Sequence, residues 1–484
     1  MDSASPPSST LPTSLPQQRP SAFSPPSSIL IIGSGVFGLS TAWALARRDT
    51  FSQCSITVID RSDPSQPDAG VFPARDAASI DTSRIIRADY SDASYAALAA
   101  EAQVQWRKQN QTSDLGAEGR YSESGLVLVA DAGPTRAPGE IIDKSSLTGM
   151  DYVRFSWDNV RSMASSDPDW AGRIHELPNP AAIREQLGTG GSSGTWGYFN
   201  GGSGWADAEA SMAWLFDQVV ATGRVVFVHG DVVSLQSHDN SVTGAKLSDG
   251  RMFSADLVVL AAGAWTGGLI DLSGQVTATG QVLGYLDLTE AEQEQLGKMP
   301  VILNMSSGLF IIPPRNRMLK IARHAYGYLN PTSLAPLASS TTTPSQPVSY
   351  PLTHLTDPSL SIPKEGADDL RRAIQEMVPL PGLAERPFTK TRICWYADTP
   401  TADFIVDYHP HWTGLFVATG DSGHAFKFMP VLGDKIVDCI THNCPREFLG
   451  KWNWKSSAAT VVTEDGSRGG ISGLILSREL NRDN

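Results

Sequence analysis

Gly33, Gly35 and Gly38 stand in the spacing Gly-x-Gly-x-x-Gly, and Asp60 follows 22 residues after the last of them. Residues of these types at these distances bind the pyrophosphate and ribose of an adenine dinucleotide. Gly33 permits a tight turn, Gly35 lets the backbone approach the phosphates, and Gly38 lets a helix pack closely on a strand. Val36 and Phe37 fall in the same turn, and the helix after it offers free N–H groups and a positive dipole end. Asp60 is placed to accept hydrogen bonds from the adenosine ribose, with Arg61 beside it. The elements that must hold these groups are legible around them. The apolar run 29–32 predicts a strand, 39–47 a helix, and the β-branched run 56–59 a second strand ending in Asp60.

The competing reading of 29–46 is a signal anchor or membrane span, because the stretch is mostly apolar. Three glycines at a phosphate-turn spacing and the lack of a basic flank weigh against it. Residues 1–27 are Ser/Pro-rich with Arg19 their only basic residue, which predicts a disordered tail. A formal charge of −13 argues against nucleic acid or an anionic membrane as a partner. The four cysteines, Cys54, Cys394, Cys439 and Cys444, show no CxxC or zinc spacing, so no metal is expected and a reducing compartment is. The last residues match no peroxisomal signal. The expectation is a cytoplasmic protein without a membrane span.

Along the chain, 92–109 and 207–222 read as helices, and a strand pair follows that contains Val232 and Val233. Residues 120–200 read as short strands alternating with polar loops. The run 255–265 is a buried strand ending in small residues, with Ala262, Gly263 and Trp265 beneath the cofactor. It comes about 200 residues after the first strand, so the nucleotide domain is assembled from separated segments. That arrangement suits a flavin enzyme better than a simple nicotinamide dehydrogenase. A hairpin is expected around 313–317 and a helix over 367–377. Residues 331–366, rich in Ser, Thr and Pro, read as a surface insertion or lid.

Five further motifs carry polar chemistry: Thr82-Ser-Arg84-Ile-Ile-Arg87, Gly204-Trp-Ala206, Leu319-Lys320-Ile-Ala-Arg-His324, Cys394-Trp-Tyr396-Ala-Asp-Thr-Pro400 and Gly420-Asp-Ser-Gly423-His-Ala-Phe-Lys427. Read alone, each has a plain structural explanation. Cys394 between apolar neighbours is a packing residue, Lys427 and Lys320 are solvated cations, and Arg84 and Arg87 are surface ion-pair partners. Alternation along a strand would put Lys320 and His324 on one face. Together with the glycine fingerprint, however, the motifs resemble the monomeric sarcosine oxidase and fructosyl amino acid oxidase (amadoriase) group of flavoproteins. The resemblance covers about residues 28–450 and leaves out 1–27, 331–366 and 456–484.

The resemblance implies a discontinuous Rossmann-like FAD-binding domain of the glutathione-reductase type, an α/β fold. A second α+β substrate domain on a mixed or antiparallel sheet roofs the active site. The expected segments are 28–92, 201–275 and 386–455 for the FAD domain and 93–200 and 276–385 for the substrate domain. Beyond 456 a poorly ordered tail is expected. By the same resemblance Cys394 carries FAD through an 8α thioether, and Val233 and Gly423 join the cofactor contacts. Lys427 and Arg87 bind a substrate carboxylate, Arg84 lines the flavin face, and Lys320 promotes the reaction with O2. His324 and Tyr396 shape the substrate pocket, while His424 and His409 flank the same region.

The implied reaction is oxidation of a C–N bond in a secondary amine or N-substituted amino acid, giving an imine and hydrogen peroxide. Glycated amino acids lead the candidates. N-methyl amino acids, saccharopine, pipecolate and N-alkyl alkaloid precursors are alternatives. A nicotinamide dehydrogenase would have no use for Cys394 and Lys427 in these motifs. A catalytically idle flavin sensor would not need Lys320. A monomer acting on a small molecule and O2 is the expected form.

Overall fold

The computed structural model describes residues 23–62, 74–134, 146–337, 347–455 and 462–481. Most of the expected N-terminal tail, part of the 331–366 insertion and parts of the C-terminal tail therefore lie outside the described residues.

Strand Ser28–Ile32 runs into helix Val36–Arg47 and returns as strand Ser55–Asp60. Gly38 makes this crossing possible, since a Cβ there would stand 1.9 Å from the Gly33 carbonyl oxygen. The two strands pair in parallel and form the centre of a six-stranded sheet. In order across it run Ile405–Tyr408, Leu415–Thr419, Leu257–Leu260, Ser28–Ile32, Ser55–Asp60 and Val225–His229. Near-continuous burial of the central strands is what a parallel sheet covered on both faces requires. The fingerprint helix is itself covered by helix Met429–Ile440, where Ser40 Oγ donates to the Met429 carbonyl at 3.0 Å.

A ten-stranded, mostly antiparallel sheet forms the roof. Its middle is strand Thr277–Asp287, flanked by Met318–Arg323 on one side and Lys390–Asp398 on another. Strands Leu309–Arg315 and Met318–Arg323 form the expected hairpin, with Asn316 and Arg317 both at positive φ.

Three expected boundaries do not coincide with the packing. The Cys394 strand belongs to the roof sheet, although residues from 386 onward were expected in the nucleotide domain. Helix Ala93–Trp106, capped by Asp92, buries Tyr95, Leu98, Ala102 and Trp106 in the core beneath the nucleotide sheet. Residues 462–481 are folded rather than loose, and Leu474–Ile475 adds a strand to the roof. A helix, Gly149–Ala164, also replaces expected strands and loops. Its capping box, Thr148 with Asp151, was present in the sequence. Among the described residues no helix is long and apolar enough to cross a membrane.

Candidate active site

A cavity of about 370 Å³ runs from the glycine fingerprint to the underside of the roof. Gly33, Gly35, Val36, Phe37, Asp60 and Arg61 line one end, with Ala262, Gly263 and Trp265 beside them. Arg84, Arg87, Lys320, His324, Tyr396, Gly423 and Lys427 line the other. Three expected cofactor residues are not on the wall: Gly38, packed against the Gly33 carbonyl, and Val233 and Cys394. Val233 is 48% exposed, and the neighbouring Val232 lines the cavity instead. A register shift between Val232 and Ser234 leaves Val233 unpaired, so alternation slips by one residue there. Cys394 is buried one layer behind the wall, its Sγ 3.6 Å from Arg84 Nη2 and 3.9 Å from the Ala78 carbonyl.

The roof lysine is held by an acid that the sequence reading missed. Lys320 Nζ donates to Asp81 Oδ2 and to the Ser83 carbonyl, each at 2.6 Å. Arg84 donates to the same carboxylate oxygen. Burial, and then Arg84, lower the Lys320 pKa to about 8, while Asp81 works against the loss. Burial alone would raise Asp81, but Arg84, Lys320 and Arg392 together hold it below the usual carboxylate range. Lys320 and His324 do share a face, as strand alternation requires, while Leu319 and Ile321 enter the core on the other side.

Lys427 lies in the turn Ala425–Phe428, just before the helix Met429–Ile440. Its Nζ donates to the Tyr90 hydroxyl and the His424 carbonyl, each at 2.8 Å. The turn is pinned from beneath, because Trp106 Nε1 donates to the Lys427 carbonyl at 2.8 Å. Arg87 Nη2 donates to the Tyr152 hydroxyl at 3.2 Å, while its buried Nη1 has no partner among the described residues. His424 meets Tyr90 at 3.1 Å and the Ala402 carbonyl at 2.8 Å. Burial and the Lys427 charge keep it neutral. His409 stands apart, its Nδ1 accepting from the backbone of His411 and Trp412.

The FAD dependent oxidoreductase (DAO) family matches residues 28–439 of this chain. The chain belongs to that family. It is 36% identical over 457 residues to the amino acid oxidase imqH of Aspergillus flavus, across 86% of this chain and 93% of the relative. It is 32% identical over 480 residues to the amino acid oxidase fsqB of Aspergillus fumigatus, with shares of 86% and 93%. Among solved structures it resembles the fructosamine oxidase Amadoriase II of Aspergillus fumigatus, at 28% identity and a TM-score of 0.72. That match spans 93% of this chain and 95% of the other.

The residues of this FAD-dependent oxidoreductase fit the cofactor. A Cβ built on Gly35 would meet nothing within 4 Å, which leaves a cradle open against the backbone. The Asp60 carboxylate accepts the Ser34 N–H at 2.7 Å and the Ser62 N–H at 3.0 Å. It is thereby locked on the wall where a ribose would lie.

The largest surprise comes from the C-terminal segment, where no motif marks the residue. Arg468 is buried directly behind the cavity wall of the flavoenzyme, with its side chain 1% exposed. It donates to Asp398 Oδ1 at 2.6 Å and the Ser422 carbonyl at 2.8 Å, and lies against the His324 ring. Burial, followed by Arg468, holds His324 well below its ordinary pKa, so it is neutral. Asp421, also on the wall, is pushed up to about 6 by burial. Replacing Arg468 by Met strands the Asp398 carboxylate. Removing one partner of a buried pair costs about 3–5 kcal/mol. The loss should appear in urea unfolding and be largely recovered by adding Asp398→Asn. An unchanged midpoint in Arg468→Met would refute the pairing.

Proposed function

We propose that this flavoenzyme oxidises secondary amines that carry a carboxylate, N-substituted amino acids, to imines with reduction of O2 to hydrogen peroxide. The observation that carries the reading is a pair of buried cations with no acid in direct hydrogen-bond contact among the described residues. Among the described residues Arg87 and Lys427 donate only to neutral hydroxyl and carbonyl oxygens, and Arg87 Nη1 to nothing. A buried charge without a counter-ion is costly, so the arrangement calls for an anionic ligand. A substrate carboxylate satisfies it, because guanidinium offers a fork of donors and the ammonium a second point charge.

Burial, then Arg87 and Arg84, depress the Lys427 pKa strongly; an arriving carboxylate opposes that shift and retains the proton on Nζ. The same positive surroundings disfavour an ammonium, so the substrate nitrogen is held as the neutral amine. Tyr396 and the neutral His324 wall the pocket without competing for the carboxylate. Bound in the cavity, FAD supplies a two-electron acceptor for the amine and the route from there to O2. Asp81 supports the charge on Lys320, and that fixed cation favours the reduction of O2 by stabilising developing negative charge.

Cys394 is the attachment point for an 8α thioether. Its motif, and its place one residue before two that line the cavity, support that role. The higher identity to two amino acid oxidases than to the fructosamine oxidase favours an amino acid substrate that is not glycated. We take the enzyme to act as a monomer in the cytoplasm; four free cysteines among the described residues fit a reducing compartment.

Peroxide release should be strong with N-alkyl amino acids and weak with the same amines lacking the carboxylate. Arg87→Met should raise KM for the acids by at least about tenfold while leaving the decarboxylated amines little changed. Equal turnover of both sets by the parent enzyme would defeat the proposal. Acid-denatured protein should keep its yellow colour and an FAD mass increment, and Cys394→Ala should release both. Colour lost from the parent would remove the covalent bond and leave amine oxidation standing. Lys320 is a cation below its pKa of about 8 and neutral above it. Reoxidation of the reduced enzyme by O2 should therefore slow as pH rises through 8. Lys320→Met should be slower by about 100-fold or more, with that limb gone.

A further inference from the structure

Residues 347–356 lie outside the shared motifs and were expected at the surface. Tyr350, Pro351 and Thr356 instead line the cavity, at the end occupied by Arg61 and Trp265. Separate ties hold the segment there. Ser349 Oγ donates to the Ala278 carbonyl at 2.6 Å, and Trp395 Nε1 donates to the Leu352 carbonyl at 2.8 Å. Thr353 Oγ1 donates to Asp76 Oδ2 at 2.8 Å. Gly268 leaves room for the Tyr350 ring, which a Cβ there would approach to 2.6 Å.

Asp76 links this strap to the nucleotide end of the cavity. Its side chain is 1% exposed, and its other oxygen accepts from Arg61 Nη2 at 2.6 Å. The Arg61 guanidinium in turn lies 4.2 Å above the Trp265 ring. A connected series therefore runs from Trp265 through Arg61 and Asp76 to Thr353. Its members come from the turn after strand Leu257–Leu260, the end of strand Ser55–Asp60, the 74–80 loop and the insertion.

We propose that residues 347–356 form a clamp on the adenosine half of FAD. Thr353 and Asp76 fix Arg61 flat against Trp265, and Tyr350 closes the wall beside it. The ribose carboxylate, Asp60, is the residue before Arg61, which puts adenosine rather than flavin at this end. The clamp rests on the FAD assignment but not on the amine reaction, and it retains the nucleotide independently of a bond at Cys394. Asp76 needs both partners because a buried carboxylate oxygen without a donor is costly.

The test is FAD release from holoenzyme in a Cys394→Ser background, followed by the rise of free-flavin fluorescence. Tyr350→Ala and Thr353→Val should each release FAD about tenfold faster than the parent. Thr353→Ser, which keeps the hydroxyl, should stay near the parent. Leu355→Ala, at a residue 53% exposed on the same strap, should change nothing. If Tyr350→Ala fails to fold, the Val and Ser forms of Thr353 still decide the matter. Release rates equal to the parent in folded Thr353→Val would overturn the clamp alone. A parent that cannot be loaded with FAD would overturn the clamp together with the cofactor assignment beneath it.

Discussion

Four cations, Arg84, Arg87, Lys320 and Lys427, gather at one end of the cavity, and a single carboxylate, Asp81, pairs with two of them. Charge in a low-dielectric interior is expensive unless it is compensated. The fold meets this locally for Lys320 and Arg84, while among the described residues Arg87 and Lys427 hydrogen-bond only to neutral partners. On the proposed function, the positive charge suits an anionic ligand group and an uncharged amine. After burial, positive charge is the second cause that keeps His324 and His424 neutral, since a protonated imidazole would add to the repulsion.

The cations reach the cavity from different layers. Lys320 hangs from the roof sheet, Lys427 rises from the turn before a helix of the nucleotide core, and the two arginines lie on the short strand Arg84–Ile86 and just beyond it. Each layer needs the other to hold its charge in place. Asp81, in the loop before that short strand, receives the roof lysine, and Trp106 on a core helix ties down the Lys427 turn. The site is therefore a property of the contact between the layers. A shift of either layer would separate Lys320 from Asp81 and expose both.

Two segments outside the shared motifs complete the enclosure at opposite ends. The strap around Tyr350 covers the nucleotide end, and the C-terminal segment inserts Arg468 beside His324 and Tyr396. Both are tied by hydrogen bonds to the strand that carries Cys394: Trp395 to Leu352, and Asp398 to Arg468. Variation in these segments can change access and retention without disturbing the fingerprint or the cation set.

Read in one dimension, the chain shows its nucleotide end well. The glycine fingerprint, Asp60 and the strand–helix–strand around them are contiguous, and local sterics and periodicity decide such units. Motif residues Arg84, Arg87, Lys320, Tyr396 and Lys427 were likewise legible, and the fold brings them to one cavity. What only the tertiary structure decided are pairings between distant positions. Lys320 finds Asp81 across 239 residues, Thr353 finds Asp76 across 277, and Arg468 finds His324 across 144. No periodicity marks such partners, because each is chosen by the packing of separate layers. The same holds for the bulge that turns Val233 outward and for the sheet that claims the Cys394 strand: the hydrogen-bond register between strands, not the residues in a strand, decides which side chain meets the cofactor.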